Sequence, residues 1–441
     1  MNFKKYIFNF KLKYVLKSDK ILAKLREREK MNYDEIEALN FIKRKRIIQY
    51  AYDKIPFYKE LYDKHNFNPK SLLTEGDWSQ VPIVTRKDLK ENTLKIINPS
   101  ISSDRLIKST TGGSTGQPLM VYFDKEVPLE VFGWRTMKWW GINPWENQAF
   151  VFRNVRKGFA QTLNSLKWFP TRRVLLDCSS MNSSDMDNFV KQINIIKPTY
   201  IQGYVGGIYD LAKYIINNNL KIHSVKAVWV TAAPLSESTR IFIEETFKAP
   251  VYDQYGCSEI FWIAAECKIK NGLHVLSDIR HLEFVNGQGH VVEDGNYGDA
   301  VITDLENKVF PIIRYKNGDS GRKLNRNCKC GLPFPLIDKI KGRVTDNIKT
   351  PSGIIVSGAY LTTIFDNYTD LVDAFQIIQN EDYSVVISCI IAKNQTKLNT
   401  NFIKIKKEFE NKTNNEVEIS FEFPKTLLQD RGKLKFVISK L

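Results

Sequence analysis

The chain has 441 residues, of which 43% are apolar, 26% charged and 12% aromatic. That length corresponds to roughly three domains, and the aromatic content excludes global disorder. Six cysteines in the whole chain are too few for a disulfide scaffold and fit a reducing compartment.

The net charge of +16 is concentrated early, because residues 1–50 carry 14 Lys+Arg against 6 Asp+Glu. Such an arm suits an anionic lipid surface, a nucleic acid or simply a solvated helical face. The first eleven residues loosely resemble a signal peptide, but their apolar part is short and no small-residue cleavage site follows. The longest apolar run, residues 385–392, is broken by Ser388 and is far short of the about 20 residues of a spanning helix. The expected location is cytoplasmic, with peripheral contact at the inner face of a membrane as an extension of the basic arm.

Residues 20–65 carry Leu22, Leu25, Ile36, Leu39, Ile42, Ile47 and Ile48 at helical spacing. Pro56 interrupts that pattern, and Thr85 is placed to cap a new helix. From about 105 to 340, short apolar strands (150–152, 173–176, 227–230) alternate with helices (189–196, 209–216, 236–247), the pattern of an α/β domain. The last hundred residues read as strands at 374–378 and 383–392, a helix at 400–411 and a strand at 417–423. The expected organisation is a large α/β body of mixed sheets and helices over residues 1–342, including a basic helical arm at 1–60. A small, mobile α+β domain over 343–441 follows.

Five segments carry chemistry. Ser109-Thr110-Thr111-Gly112-Gly113-Ser114-Thr115-Gly116 clusters glycine and hydroxyls. Glycine lets backbone N–H groups approach phosphate oxygens, though a surface turn has the same composition. It is not a Walker loop, since Gly-Lys-Ser/Thr is absent. Tyr252-Asp253-Gln254-Tyr255-Gly256-Cys257-Ser258-Glu259 places a carboxylate after a glycine turn, which suits Mg²⁺ or merely ends a strand. In Tyr315-Lys316-Asn317-Gly318-Asp319 the carboxylate either meets a ribose diol or caps its own turn. Lys341-Gly342-Arg343-Val344-Thr345-Asp346 marks the expected boundary. Asp430-Arg431-Gly432-Lys433-Leu434-Lys435 holds a lysine on a glycine turn, able to neutralise charge developing on phosphate.

In this order the five segments resemble the adenylate-forming enzyme superfamily, most closely its phenylacetate–CoA ligase and capsular-polysaccharide CapK branch. Ile55-Pro56-Phe57-Tyr58, residues 82–89 and Lys197-Pro198 with Gly203-Tyr204 also look like that branch. The resemblance implies an ATP-dependent, AMP-forming acid ligase. Thr111, Gly112, Gly113, Ser114, Thr115 and Gly116 would hold the phosphates, and Glu259 would ligate Mg²⁺. Asp319 would bind the ribose, and Asp253, Tyr255, Gly256 and Ser258 would line the nucleotide site. Arg343 matches the hinge and Lys433 the catalytic lysine, with Lys435 two residues away as an alternative. The hinge position usually held by Asp or Lys is Thr345 here.

The resemblance further implies a carboxylic or amino acid substrate. The acceptor would be CoA, a carrier thiol or a sugar amine, and the setting cell-surface polysaccharide synthesis. Aromatic acid catabolism and an inactive scaffold remain alternatives. Nucleic acid is not expected, because the aromatics are not interleaved with a basic stripe. Finally, Cys267 and His274, with Cys328 and Cys330 about 50 residues later, have the ligand types of a closed, structural Zn²⁺ site; two unrelated reduced pairs are the alternative.

Overall fold

The computed structural model describes residues 3–110, 119–152, 158–178, 181–340, 348–353, 355–356, 361, 365, 368, 371–392, 400–427, 429–430, 433–434 and 437–441. The chain forms two compact units, one of Met1–Asn147, Asn164–Arg172 and Tyr252–Ile340, the other of Gln148–Leu163, Arg173–Val251 and Lys341–Leu441.

The first unit opens with four helices, Phe3–Tyr14, Asp19–Arg28, Tyr33–Lys54 and Pro56–Lys64. The expected single helical stretch is therefore divided. Asn32 restarts the chain with a capping box, its side chain accepting from Glu35 N while Glu35 returns to the Asn32 backbone. Pro56 occupies the first turn of the next helix, where its missing N–H costs nothing. Thr85 caps the helix Arg86–Glu91 through the same reciprocal arrangement with Asp88.

Three antiparallel strands, Arg280–Val285, Gly298–Asp304 and Tyr315–Gly321, form one sheet of this unit. A second group pairs Val251–Tyr255 with Ala264–Glu266, that strand with Leu273–Val275, and Leu273–Val275 with Leu336–Ile337. The core beneath includes Tyr58, Tyr62, Val84, Ile263, Ile313 and Tyr315. Tyr58 Oη donates to the Pro311 carbonyl at 3.1 Å and accepts from Ile313 N at 3.0 Å. The early Pro-Phe-Tyr segment thereby braces the chain just ahead of the Tyr315–Gly321 strand.

In the second unit, strands Gln148–Phe152, Arg173–Asp177, Tyr200–Tyr204 and Ala227–Thr231 run parallel. Helices Ser183–Ile196, Val205–Asn217 and Glu237–Phe247 accompany them, with Val151, Ile201, Ile208, Val228 and Ile243 in the shared core. Both faces of a parallel sheet must be covered, which is why these strands read as continuous apolar runs. The C-terminal stretch builds a mixed sheet in the order Ile419–Glu422, Val385–Ile391, Val372–Gln379 and Val437–Ser439, beside the helix Thr400–Lys412. The expected strand at 383–392 starts two residues late, because Asn380 N bonds Ser384 O and Tyr383 takes φ 68°, making a tight turn. The α/β class and the α+β character of the C-terminal stretch are both present.

Candidate active site

The site is built where residues 252–260 meet residues 84–86 and the strand Tyr315–Gly321. Tyr255 ends its strand and Gly256 begins a turn closed by Cys257 N on the Ile260 carbonyl at 3.0 Å. A Cβ on Gly256 would lie 2.8 Å from Gln254 Nε2 and 3.1 Å from Trp262 N, so the turn closes this tightly only with glycine. The turn delivers Glu259 into the interior, where it is 1% exposed.

Val84 lies parallel beside Tyr315, bonding Arg314 O and Lys316 N at 2.9 Å each. This register brings the first turn of the capped helix to Glu259. Arg86 Nη1 donates to Glu259 Oε1 at 2.8 Å, and Tyr315 Oη donates to the same oxygen at 3.2 Å. A buried carboxylate needs such charged and polar partners. Arg314, with φ 45°, turns its guanidinium inward to both oxygens of Glu283, at 3.1 and 3.0 Å, and to the Val81 carbonyl at 2.6 Å. It fastens residues 79–84 to the sheet.

Tyr315, Asn317 and Asp319 alternate along their strand, and all three are buried while Lys316 and Gly318 are less so; alternate residues share one face. Asp319 N donates to Asn317 Oδ1 at 3.0 Å, and Asn317 Nδ2 donates to Asp319 Oδ2 at 2.5 Å. Tyr255 Oη also donates to Asp319 Oδ2, at 2.8 Å, and accepts from Asn317 Nδ2 at 2.9 Å. Burial first, and the Asp319 carboxylate second, push the Tyr255 phenol well above its usual range, so it remains a donor. Asp253 is buried on the same strand as Tyr255, and its N–H donates to Glu266 Oε2 at 2.8 Å.

The thiols make a different kind of site in the same unit. One ligand atom from each of Cys267, His274, Cys328 and Cys330 lies within 4.8 Å of the others. Cys267 Sγ is 3.6 Å from Cys328 Sγ, and Cys330 Sγ is 3.2 Å from His274 Nε2. Ligands at the usual Zn–S length of about 2.3 Å, spread tetrahedrally, stand about 3.8 Å apart, so the donor set fits that ion. His274 Nδ1 lies 3.0 Å from the Phe334 carbonyl, which only accepts; the proton is thus on Nδ1 and the Nε2 lone pair faces the sulfurs. Burial lowers the His274 pKa and pushes the Cys267 thiol up to about 12. Gly272 takes φ +114° in the hairpin joining Cys267 to His274, and a Cβ there would meet the Ile337 carbonyl at 2.8 Å. All six cysteines are free of disulfides.

Against known proteins, the CapK C-terminal domain family matches residues 348–440. The CapK protein of Staphylococcus aureus is 25% identical over 410 residues, covering 87% of this chain and 85% of its own. The phenylacetate–coenzyme A ligase of Aromatoleum evansii is 23% identical over 326 residues, covering 72% of each. Over most of its length the chain is thus similar to members of the phenylacetate–CoA ligase and CapK branch of the adenylate-forming enzymes. A crystal structure of 2-hydroxyisobutyryl-CoA ligase with 2-HIB-AMP, in its post-adenylation state, shares the fold at TM-score 0.76 and 18% identity, covering 94% of this chain and 92% of that one.

Of the residues that the branch resemblance singles out, Asp253, Tyr255, Gly256, Ser258, Glu259 and Asp319 fall in one unit. Direct bonds join Tyr255 to Asp319. Thr111, Gly112, Gly113, Ser114, Thr115, Gly116, Arg343 and Thr345 lie outside the described residues. The Lys433 backbone lies in the short strand Lys433–Leu434, paired with Gln429–Asp430; its side chain is outside the described part. Arg86, Tyr315 and Asn317 were not singled out from sequence. Asn317-Gly318-Asp319 did carry an Asx-turn signal, whereas nothing local marks Arg86 as the partner of a carboxylate 173 residues away.

Proposed function

We propose that this chain is an ATP-dependent, AMP-forming acid ligase acting in cell-surface polysaccharide synthesis in the cytoplasm. The observation that carries this reading is the buried Glu259 carboxylate, held by Arg86 and Tyr315, on the strand face that also presents Asn317 and Asp319. Its likeness to CapK across 87% of the chain supports the polysaccharide setting. Its likeness to phenylacetate–CoA ligases supports CoA as the acceptor, with a carrier thiol or sugar amine as substitutes.

In the proposed reaction a substrate carboxylate oxygen attacks the α-phosphorus of ATP. The new P–O bond gives an acyl-adenylate, and the bond to the bridging oxygen breaks to release pyrophosphate. A nucleophilic acceptor then attacks the acyl carbon and AMP leaves. Asp319 would accept hydrogen bonds from the ribose hydroxyls, and Tyr255 and Asn317 would fix its rotamer. The glycine-rich residues 111–116 would donate backbone N–H groups to phosphate. Lys433, carried by a mobile domain at 343–441 that turns at Arg343, would meet the oxygens on which charge develops.

The oxygen donors at Glu259 fit Mg²⁺, which is commonly held by one or two carboxylates plus substrate phosphates. Bound there, Mg²⁺ would offset phosphate charge. Arg86 would balance Glu259 and orient it. The Cys267, His274, Cys328 and Cys330 set would hold a structural Zn²⁺, its four protein ligands leaving no open position.

The test is ATP–pyrophosphate exchange against aromatic, hydroxy and amino acids, with Lys433→Ala as control. Exchange that depends on one acid and disappears in the variant is expected. A folded protein that binds no ATP would overturn the enzyme reading in favour of a scaffold.

A further inference from the structure

The helix Phe3–Tyr14 has two apolar faces. Phe8 and Leu12 are buried, and Phe8 packs on Trp134 and Trp145 at 5.2 and 5.8 Å between ring centroids. Phe3, Tyr6, Phe10 and Tyr14 are each more than half exposed. At about 100° of rotation per residue, those four fall in one stripe about 80° wide, opposite the buried pair. Exposed apolar residues scattered singly need no explanation, whereas an aligned aromatic ridge does.

A neighbouring segment of the same unit meets the helix on its Lys11 side. Lys11 Nζ donates to the carbonyls of Lys167 and Phe169 at 2.8 and 2.5 Å. This contact sets exposed Leu166 and Phe169, 65% and 63% accessible, beside the helix. The surroundings are basic. Residues 1–18 contain Lys4, Lys5, Lys11, Lys13 and Lys17 and neither Asp nor Glu.

We propose that this face is a docking surface for an anionic membrane, with Phe3, Tyr6, Phe10 and Tyr14 seated at the headgroup boundary and Lys13 and Lys17 against acidic lipid. Charge decides between the candidate occupants. A second copy of the chain would set two lysine-flanked, acid-free helices against each other, while an anionic leaflet complements them. Amphipathic helices with aromatic and basic residues bind in this way, parallel to the surface. No helix among the described residues is long and apolar enough to span a bilayer, so the contact is peripheral. This proposal does not depend on the ligase reading.

The experiment is co-sedimentation of the full chain with phosphatidylcholine vesicles, with and without phosphatidylglycerol, at low and high salt. Binding should require the anionic lipid and weaken with salt. The double variant Tyr6→Ser/Phe10→Ser should lose affinity by about tenfold or more, and Lys13→Glu/Lys17→Glu by a similar factor. All four side chains are exposed, so the unfolding midpoint and near-ultraviolet circular dichroism of the variants should match the parent. Equal binding to neutral and anionic vesicles, or no binding to either, would overturn the proposal. So would an unchanged affinity in the aromatic variant. A dimer in solution that Tyr6→Ser/Phe10→Ser dissociates would assign the face to a second copy. Duplex DNA binding tighter than vesicle binding, and indifferent to the aromatic variant, would assign it to nucleic acid.

Discussion

The oxygen-lined cluster at Glu259 and the sulfur-lined cluster at Cys267 occupy one unit but are assembled differently. The sulfur set hangs on one hairpin and one further loop. Leu336 pairs directly with His274, and Cys328 Sγ lies 3.6 Å from Cys267 Sγ, so the four ligand atoms point at one another and close the site. The oxygen set draws Arg86, Tyr255, Glu259 and Asp319 from three stretches of chain. Its carboxylates are held from the protein side by Arg86, Tyr315, Tyr255 and Asn317. A closed ligand set serves stability, whereas oriented carboxylates serve a substrate. Substitutions in the first should therefore change folding and spare turnover, and those in the second should act mainly on turnover, with a stability cost where a buried carboxylate loses its cation.

The largest effects are expected at Glu259 and at Lys433, the proposed catalytic lysine. Lys433→Ala and Glu259→Gln should each lower pyrophosphate exchange by about a hundredfold to a thousandfold, the scale of losing one preplaced charge at the reacting phosphate. Equal activity in either variant, measured at saturating ATP and acid, would break the contrast. Next comes the metal. Inductively coupled plasma mass spectrometry should find Zn²⁺ on the parent and a strongly reduced content on Cys328→Ser. The variant's melting temperature should drop by several degrees while its exchange rate per folded molecule is kept. Zinc removal by a chelator should expose Cys267, Cys328 and Cys330 to thiol reagents. Cys389, buried and with its pKa pushed up to about 12, should stay unlabelled until the chain unfolds.

A smaller effect is expected at Asp319, the proposed ribose-binding carboxylate. Asp319→Asn should raise the KM for ATP by about tenfold, the worth of hydrogen bonds to a charged group, with less change in kcat. Tyr255→Phe, which removes one donor to that carboxylate, should shift KM in the same direction by less. The last effect, on stability rather than turnover, concerns the Arg86–Glu259 pair. Arg86→Ala leaves a buried carboxylate short of a cation and should cost about 1–3 kcal/mol in urea unfolding, since Arg86 itself is partly exposed. Adding Glu259→Gln should recover part of that loss. Strict additivity of the two in a double-mutant cycle would show that the pair is not coupled.

The amino-acid sequence by itself determined the element types, because periodicity and caps are local. The three buried strands at 150, 174 and 228, the capping role of Thr85 and the interruption at Pro56 followed from neighbouring residues alone. The turns that carry Glu259 and Asp319 were also legible locally, whereas the roles expected of these carboxylates came only from the family resemblance. The tertiary structure decided which side chains meet. Arg86 reaches Glu259 only because Val84 registers beside Tyr315, and Cys328 and Cys330 reach Cys267 and His274 only because Leu336–Ile337 pairs with Leu273–Val275. The alignment of Phe3, Tyr6, Phe10 and Tyr14 away from buried Phe8 likewise emerged from packing. A helix that is apolar on two sides does not say in its sequence which side the core will take.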